Sequence, residues 1–327
     1  MKQKRVLLVA VLPASLLLGI VLGSVKLDPL ETLGVLFGLK RNEFVERILA
    51  LRLPRVFASF LVGMGLSLAG NTFQNLLKNP LVDPYLLGIS SGASFGTVLS
   101  IYLAENFRVS WLYRMPLLSF TFSVLASLLT LLISRRDGRH PATNVVLSGV
   151  VVSSLFSALT YTMIVMLRRN VTTITVWLFG SFSGATWEDV IFDLFVASTL
   201  LVYCLIFSRH LDAMALGEEE AFVLGVRVEG FKVSTFLLGN FAVSLLVARS
   251  GVIGFVGLVV PHISRYLTGS SFSKTTLTSV VVGGVLLSWC DTLSRSFFSP
   301  TELPVGVVTA LIGAPFLAFL MKRGVQS

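Results

Sequence analysis

Apolar residues in this 327-residue chain come in long runs rather than in alternation. Runs bounded by charge, Pro or Gly lie near 6–25, 54–77, 84–104, 116–134, 144–167, 190–208, 231–249, 252–268, 277–298 and 304–321. Most approach the roughly 20 residues that carry an α-helix across a bilayer. The pattern predicts an all-α polytopic membrane protein of about ten such helices, forming one domain over 1–327. A strand reading fails, because few runs show period two and backbone groups in lipid must be satisfied within each helix. The run at 252–268 is short and interrupted by Pro261, so it is expected where protein or a water-filled cavity surrounds it. The first run follows Met1-Lys-Gln-Lys-Arg5 and imitates a secretory signal. It exceeds the roughly 7–15 apolar residues of a signal core, and is expected to stay as the first helix.

Small residues mark faces for close helix contact. Gly63, Ser67 and Asn71 repeat every four positions, as do Gly65 and Ala69, while Gly251, Gly254 and Gly257 repeat every three. Such faces let backbones approach closely in membranes, and packing within the chain is the simplest use.

Composition agrees with lipid as the solvent. Charged residues make up 13% of the chain, against roughly 25% in soluble domains, and the mean hydropathy is +0.85. The net charge of +9 would suggest nucleic acid in a soluble protein. Here the basic residues sit in short segments between apolar runs, where anionic headgroups and docking proteins are the better partners. Basic residues in the terminal segments and in Arg135-Arg136-Asp137-Gly138-Arg139 favour a cytoplasmic placement for both ends. The Lys26–Arg55 segment, with six basic residues, works against it. Charge alone therefore leaves the orientation weakly set, and something specific must hold those arginines.

Catalytic chemistry finds no constellation. His140, His210 and His262 stand alone, and Cys204 and Cys290 lie in apolar runs without metal-ligand spacing. Gly269-Ser-Ser-Phe-Ser-Lys-Thr-Thr276 resembles a phosphate loop only faintly, lacking the Gly before Lys and the βαβ context. No catalytic residue, metal site or ATP site is expected in this chain. An ion-coupled carrier is the competing transport class, but such carriers place ionisable groups in mid-helix. Here Asp291 and Arg295, four apart near a helix end, read as a terminal salt bridge. Uncharged polar positions do line up: Asn71, Gln74 and Asn75 in one helix, and Ser148, Ser153 and Ser154 in another. They suit either a weakly polar lumen or hydrogen bonds between helices.

Between Ser208 and Lys232 lies the longest polar connector. Within it, Leu216, Phe222, Val223 and Leu224 stand beside Glu218, Glu219 and Glu220. A solvated loop has no need of that apolar content, whereas a helix docked in a partner's groove does.

One segment says most. Arg52-Leu-Pro-Arg55 precedes a glycine-rich helix, then Gln74, Asn79-Pro-Leu-Val-Asp-Pro84 and Leu87-Gly-Ile-Ser-Ser-Gly-Ala93. Pro80 and Pro84 force a helix exit and a rigid turn, and Asp83 before Pro84 is a helix-start signal. The segment closely resembles the FecCD/BtuC-like permease family of ABC importers for iron–siderophore chelates, haem and cobalamin. Further matches follow in order: Trp177-Leu-Phe-Gly-Ser-Phe-Ser-Gly184, Ala215-Leu-Gly-Glu218, Gly254-Phe-Val-Gly-Leu-Val-Val-Pro-His-Ile-Ser-Arg265, Glu302-Leu-Pro-Val-Gly306 and Gly313-Ala-Pro-Phe316.

The resemblance implies the type II importer permease fold, with ten transmembrane helices in the inner membrane and both termini cytoplasmic. It implies a homodimer around a central path, two ATP-binding cassette subunits that carry ATP and Mg, and a periplasmic or lipid-anchored binding protein. No cofactor is implied in this chain. Arg52, Arg55 and Arg295 match the positions that meet acidic residues of the binding protein. Ala215, Leu216, Gly217, Glu218, Phe222 and Gly225, within about 208–230, match the coupling segment that seats in the ATPase. Asn79, Pro80 and Leu81 match the cytoplasmic constriction, with Val82 where Ala is usual. The substrate implied is an iron chelate, with haem, cobalamin and molybdate as alternatives.

Overall fold

The computed structural model describes residues 2–107, 116–167, 171–297 and 301–322. Phe298, at the end of one predicted run, and Arg323 lie outside the described residues. The helices are α1 (Lys2–Val21), α2 (Pro29–Leu36), α3 (Glu43–Leu76), α4 (Ile89–Phe107), α5 (Leu117–Ser134), α6 (Ala142–Met166) and α7 (Val171–Leu178). They continue with α8 (Trp187–Ile206), α9 (Ser208–Leu216), α10 (Glu218–Val223), α11 (Val228–Ser250), α12 (Val256–Thr268), α13 (Phe272–Ser296) and α14 (Val305–Lys322). Each of the ten predicted apolar runs contains one longer helix. Six of them, α3, α5, α6, α8, α11 and α13, are long and apolar enough to cross a membrane.

Two boundaries differ from expectation. The third helix begins at Glu43, eleven residues before its apolar run, because Asn42 caps it through Phe44 N at 3.0 Å and Val45 N at 3.3 Å. Glu43 and Glu46 in the first turn suit the positive end of the helix dipole. At about 1.5 Å per residue this helix spans about 51 Å, longer than the hydrocarbon core. The second difference is at Pro261, which does not break its segment. The break lies before it, at residues 251–255, where Phe255 takes a left-handed φ of 69°.

The Asp83–Pro84 start signal is realised, although it opens a four-residue 3-10 turn rather than α4 itself. Asp83 accepts from Tyr85 N at 3.0 Å, and the turn over Pro84–Leu87 ends at Gly88 with φ 89°. A full α-helix resumes only at Ile89.

Helix α3 runs through the core, and its small-residue stripe meets α13 antiparallel. Gly63 lies against the Gly283 carbonyl, Ser67 Oγ donates to Ser279 O at 2.7 Å, and Asn71 Nδ2 donates to Thr275 Oγ1 at 3.1 Å. The four-residue spacing thus serves contact within the chain. On another face Gly70 lies so close to Gly257 of α12 that a Cβ would overlap the Gly257 carbonyl. Gly70→Ala is therefore expected to destabilise the fold by about 1–3 kcal/mol or more. The check is the yield of monodisperse protein and its thermal midpoint in detergent; a midpoint equal to the parent's would contradict this contact. A parallel device joins α4 to α5, where Gly92 and Gly96 lie against the Phe122 and Leu118 carbonyls.

Contacts sort the loops into two ends. One end gathers residues 78–81, 140, 212–232 and 271–273. The opposite end gathers 19–25, 52–55, 179–189, 249–252, 291–297 and 301–306. The short α12, flanked by irregular backbone, starts between these ends and is enclosed by protein over Val256–Pro261, as irregular backbone in a membrane requires.

Candidate functional site

At the opposite end, the three arginines expected to meet a binding protein lie near one another. Arg55 is held by two carboxylates: Nε donates to both Asp291 oxygens at 3.0 Å, Nη2 to Asp291 Oδ1 at 2.9 Å, and Nη1 to Glu302 Oε2 at 2.9 Å. Arg295 lies 3.8 Å from Asp291, the i,i+4 pair foreseen from the spacing, and donates to Gly19 O. Arg52 donates to the Ile20 and Val21 carbonyls at 2.9 Å each and to Val25 O at 2.5 Å. Two arginines thereby satisfy the free carbonyls at the C-terminal end of α1, where cations are favoured. All three are buried, Arg295 to 3% exposure. Within this chain these guanidinium groups are held by its own carboxylates and carbonyls.

The lumen candidates Asn71, Gln74, Asn75 and Ser148 are all buried within the single chain. Asn71 bonds Thr275, and Asn75 Nδ2 donates to Asn71 O at 2.7 Å. Gln74 has a particular task. Pro261 has no N–H, so the Gly257 carbonyl four residues earlier lacks its helical partner. Gln74 Nε2 donates there at 3.3 Å, and also to Leu258 O and Val82 O at 3.3 Å. Its Oε1 accepts from Arg265. Ser148 sits beside Gly149, which packs against the Leu86 carbonyl. Asn71 and Gln74 thus bond to other elements of the chain.

The Asn79-Pro80-Leu81 turn follows directly. After α3 ends, Lys78 adopts φ 44° and Asn79 Oδ1 accepts from Leu81 N at 2.9 Å. His262 of α12 bonds Pro80 O through Nε2 at 2.9 Å. Ile253 N, before α12, donates to the Tyr85 hydroxyl at 3.0 Å. Five bonds made by three side chains, those of Gln74, His262 and Tyr85, therefore clasp the 79–88 turn to α12 and its approach. Leu81 remains partly exposed at 37%.

The 208–230 segment forms α9 and α10, hinged at Gly217. Glu219 and Glu220 are exposed, while Glu218 and Asp212 reach back to the rest of the chain. Lys232, 2% exposed, donates to Glu218 Oε1 at 2.6 Å and to His140 O at 3.0 Å, and lies 3.6 Å from Glu229. Asp212 accepts from Phe272 N at 2.5 Å and from Ser273 Oγ at 2.7 Å, so it caps α13. This explains the faint phosphate-loop likeness of Gly269–Thr276: the anion position there is filled by a carboxylate of the same chain. Its apolar groups turn outward, with Leu216, Phe222, Val223 and Leu224 at 62%, 73%, 84% and 64% exposure. Gly225, with φ 87°, turns the chain back into the protein. Lys78 Nζ donates to Leu216 O at 2.5 Å, joining this segment to the Asn79–Leu81 turn.

Lys232, Lys78 and Asp212 were not singled out from the sequence. A lone Lys three residues after Glu229, at the start of an apolar run, was the available signal for Lys232. The Glu218 carboxylate, 42% exposed, also pins α10 to α11 through Lys232. Glu218→Lys would set two ammonium groups together, and like-charge juxtaposition costs several kcal/mol. The expected outcome is transport reduced by about tenfold or more, with the folded chain still in the membrane, as read by uptake beside a size-exclusion profile. Among the described residues no group of three His, Cys, Asp or Glu is placed to hold a metal ion.

Comparison with known proteins completes the picture. The model of the FecCD transport family matches residues 9–323. The ABC transporter permease YvrB of Bacillus subtilis is 38% identical over 283 residues, covering 86% of this chain and 80% of that protein. The iron(3+)-hydroxamate import permease FhuG of the same organism is 34% identical, covering 92% and 91%. A metal-chelate type ABC transporter solved in an inward-facing conformation superposes with a TM-score of 0.81 at 29% identity, covering 98% and 99%. By sequence along nearly its whole length and by the arrangement of its helices, this chain belongs to the FecCD transport family and is a permease of the ABC importer type.

Proposed function

We propose that this chain, paired with a second copy, forms the translocation path for an iron chelate in the inner membrane. Both termini face the cytoplasm, a separate binding protein delivers the substrate outside, and two ATP-binding subunits holding ATP and Mg drive the cycle. The carrying observation is the α9–α10 tip. Four large apolar side chains stand exposed on a segment that also bears three glutamates. Lipid would take the first group and water the second; a groove in a protein takes both. The link from Leu216 O through Lys78 to the Asn79–Leu81 turn gives a mechanical path. Movement of α9 by an ATPase pulls directly on the turn that closes the inner end. The clasp from Gln74, His262 and Tyr85 makes α12 move with that turn.

The iron-chelate assignment rests on the hydroxamate permease and the metal-chelate transporter reported above. Haem, cobalamin and molybdate stay within reach of the same architecture. The test is uptake of labelled iron hydroxamate into vesicles holding this chain with its ATPase and binding protein. Replacing the phosphate-loop lysine of the ATPase is expected to abolish uptake. Uptake indifferent to that change would instead indicate an ion-coupled carrier.

A further inference from the structure

At the end opposite α9–α10 there is a cavity of about 90 Å³ between the start of α8, the end of α11 and the 181–185 loop. Its polar wall is formed by Ser181, Ser183, Asp189, Asp193, Arg249 and Ser250. No role argued above uses it.

The charges decide what it can hold. Arg249 is engaged by Asp189, with Nε at 2.8 Å and Nη2 at 2.5 Å, and lies 4.5 Å from the centre of the Phe192 ring. The other Asp189 oxygen accepts from Thr186 N and Oγ1, each at 2.8 Å. That pair is balanced. Asp193, one turn further along α8, is 2% exposed, and its Oδ1 has no hydrogen-bond partner. A buried carboxylate left so is costly, and buried charges are normally paired or bound to a cation. The side chains around it supply hydroxyl and carboxylate oxygens with neither thiol nor imidazole, a donor set for hard cations. One unbalanced negative charge calls for a single positive one. One water needs roughly 10–15 Å³ of such space, so a cation can enter with several of its waters.

We propose that this cavity binds a hydrated alkali cation, sodium or potassium, held by the Asp193 carboxylate and the hydroxyls of Ser181, Ser183 and Ser250. The cation would tie the 181–185 loop, which carries the Ser-Phe-Ser-Gly sequence, to α8 and α11. It would rigidify the outer end of the permease without being transported or consumed.

The test uses the purified full-length chain in lipid nanodiscs, titrated with sodium or potassium chloride against choline chloride at constant ionic strength. In the parent, one alkali cation is expected to raise the thermal midpoint by about 2 °C or more. Where sodium is the ion, the protein should also broaden the sodium-23 resonance. Asp193→Asn, nearly identical in shape, should abolish both effects. No alkali-specific shift in the parent overturns the proposal without recourse to the variant. An equal shift in Asp193→Asn overturns it too, because the binding would lie elsewhere. A variant that fails to fold leaves the parent titration and the resonance as the deciding results.

Discussion

Asp291→Asn is expected to lower the stability of the chain by about 3–5 kcal/mol, the cost of leaving a buried charge without its partner. Asp291 is 1% exposed and is the shared counter-ion of Arg55 and Arg295. Without its charge, the two buried guanidinium groups would face Glu302 alone, and Glu302 is partly solvent-exposed. The reading is the thermal midpoint in detergent, expected to fall by roughly 10 °C, together with the yield of folded protein. Adding Arg55→Met to Asp291→Asn should recover part of the loss, because the unpaired cation is then removed as well. This series separates two roles for the arginines. If Arg52, Arg55 and Arg295 served an external partner, Asp291→Asn would spare the isolated chain and impair only uptake.

Phe222→Asp is expected to leave the isolated chain as stable as the parent and to abolish its coupling. Phe222 is 73% exposed, so a change there touches little of this chain's own packing, and such surface changes stay within about 0.5 kcal/mol. Aromatic anchors in a partner's groove typically contribute about 2–4 kcal/mol, which is about 30-fold or more in affinity. ATP-driven uptake and co-purification of the ATPase should fall together by that order. Retained uptake would remove the docking role of α10. A fall in the thermal midpoint of the chain alone would show that the tip is part of the fold instead.

Local features of the fold were legible in the sequence, and distant pairings were not. The ten runs announced their helices because lipid demands long apolar stretches. Asp83 before Pro84 announced a cap, since capping depends on neighbours in sequence. The Gly63–Ser67–Asn71 stripe announced a close contact, but nothing local said that Gly283, Ser279 and Thr275 would face it. Asp291 and Arg295 were visible as a pair four residues apart. Arg55, 236 positions from Asp291, was not. Gln74 was ambiguous for the same reason. A polar side chain on an apolar helix reads equally as pore lining or as a bond to another element. The bond from Gln74 to the Gly257 carbonyl, which Pro261 leaves without a helical partner, appears only once the two segments are juxtaposed. The segment at 208–230 was read correctly as odd, because its apolar and acidic residues have opposite solvents. That Glu218 would reach back to Lys232, and Asp212 to the start of α13, depended on partners distant in sequence or beyond a turn.

The measurement that bears most directly on the account is native mass spectrometry of the tagged chain, extracted gently from its own membranes. Two copies of the chain with two copies of an ATP-binding subunit are the predicted assembly, and Phe222→Asp should shed the ATP-binding subunits. A chain recovered alone or only with itself, from membranes that still take up substrate without ATP, would contradict the importer reading.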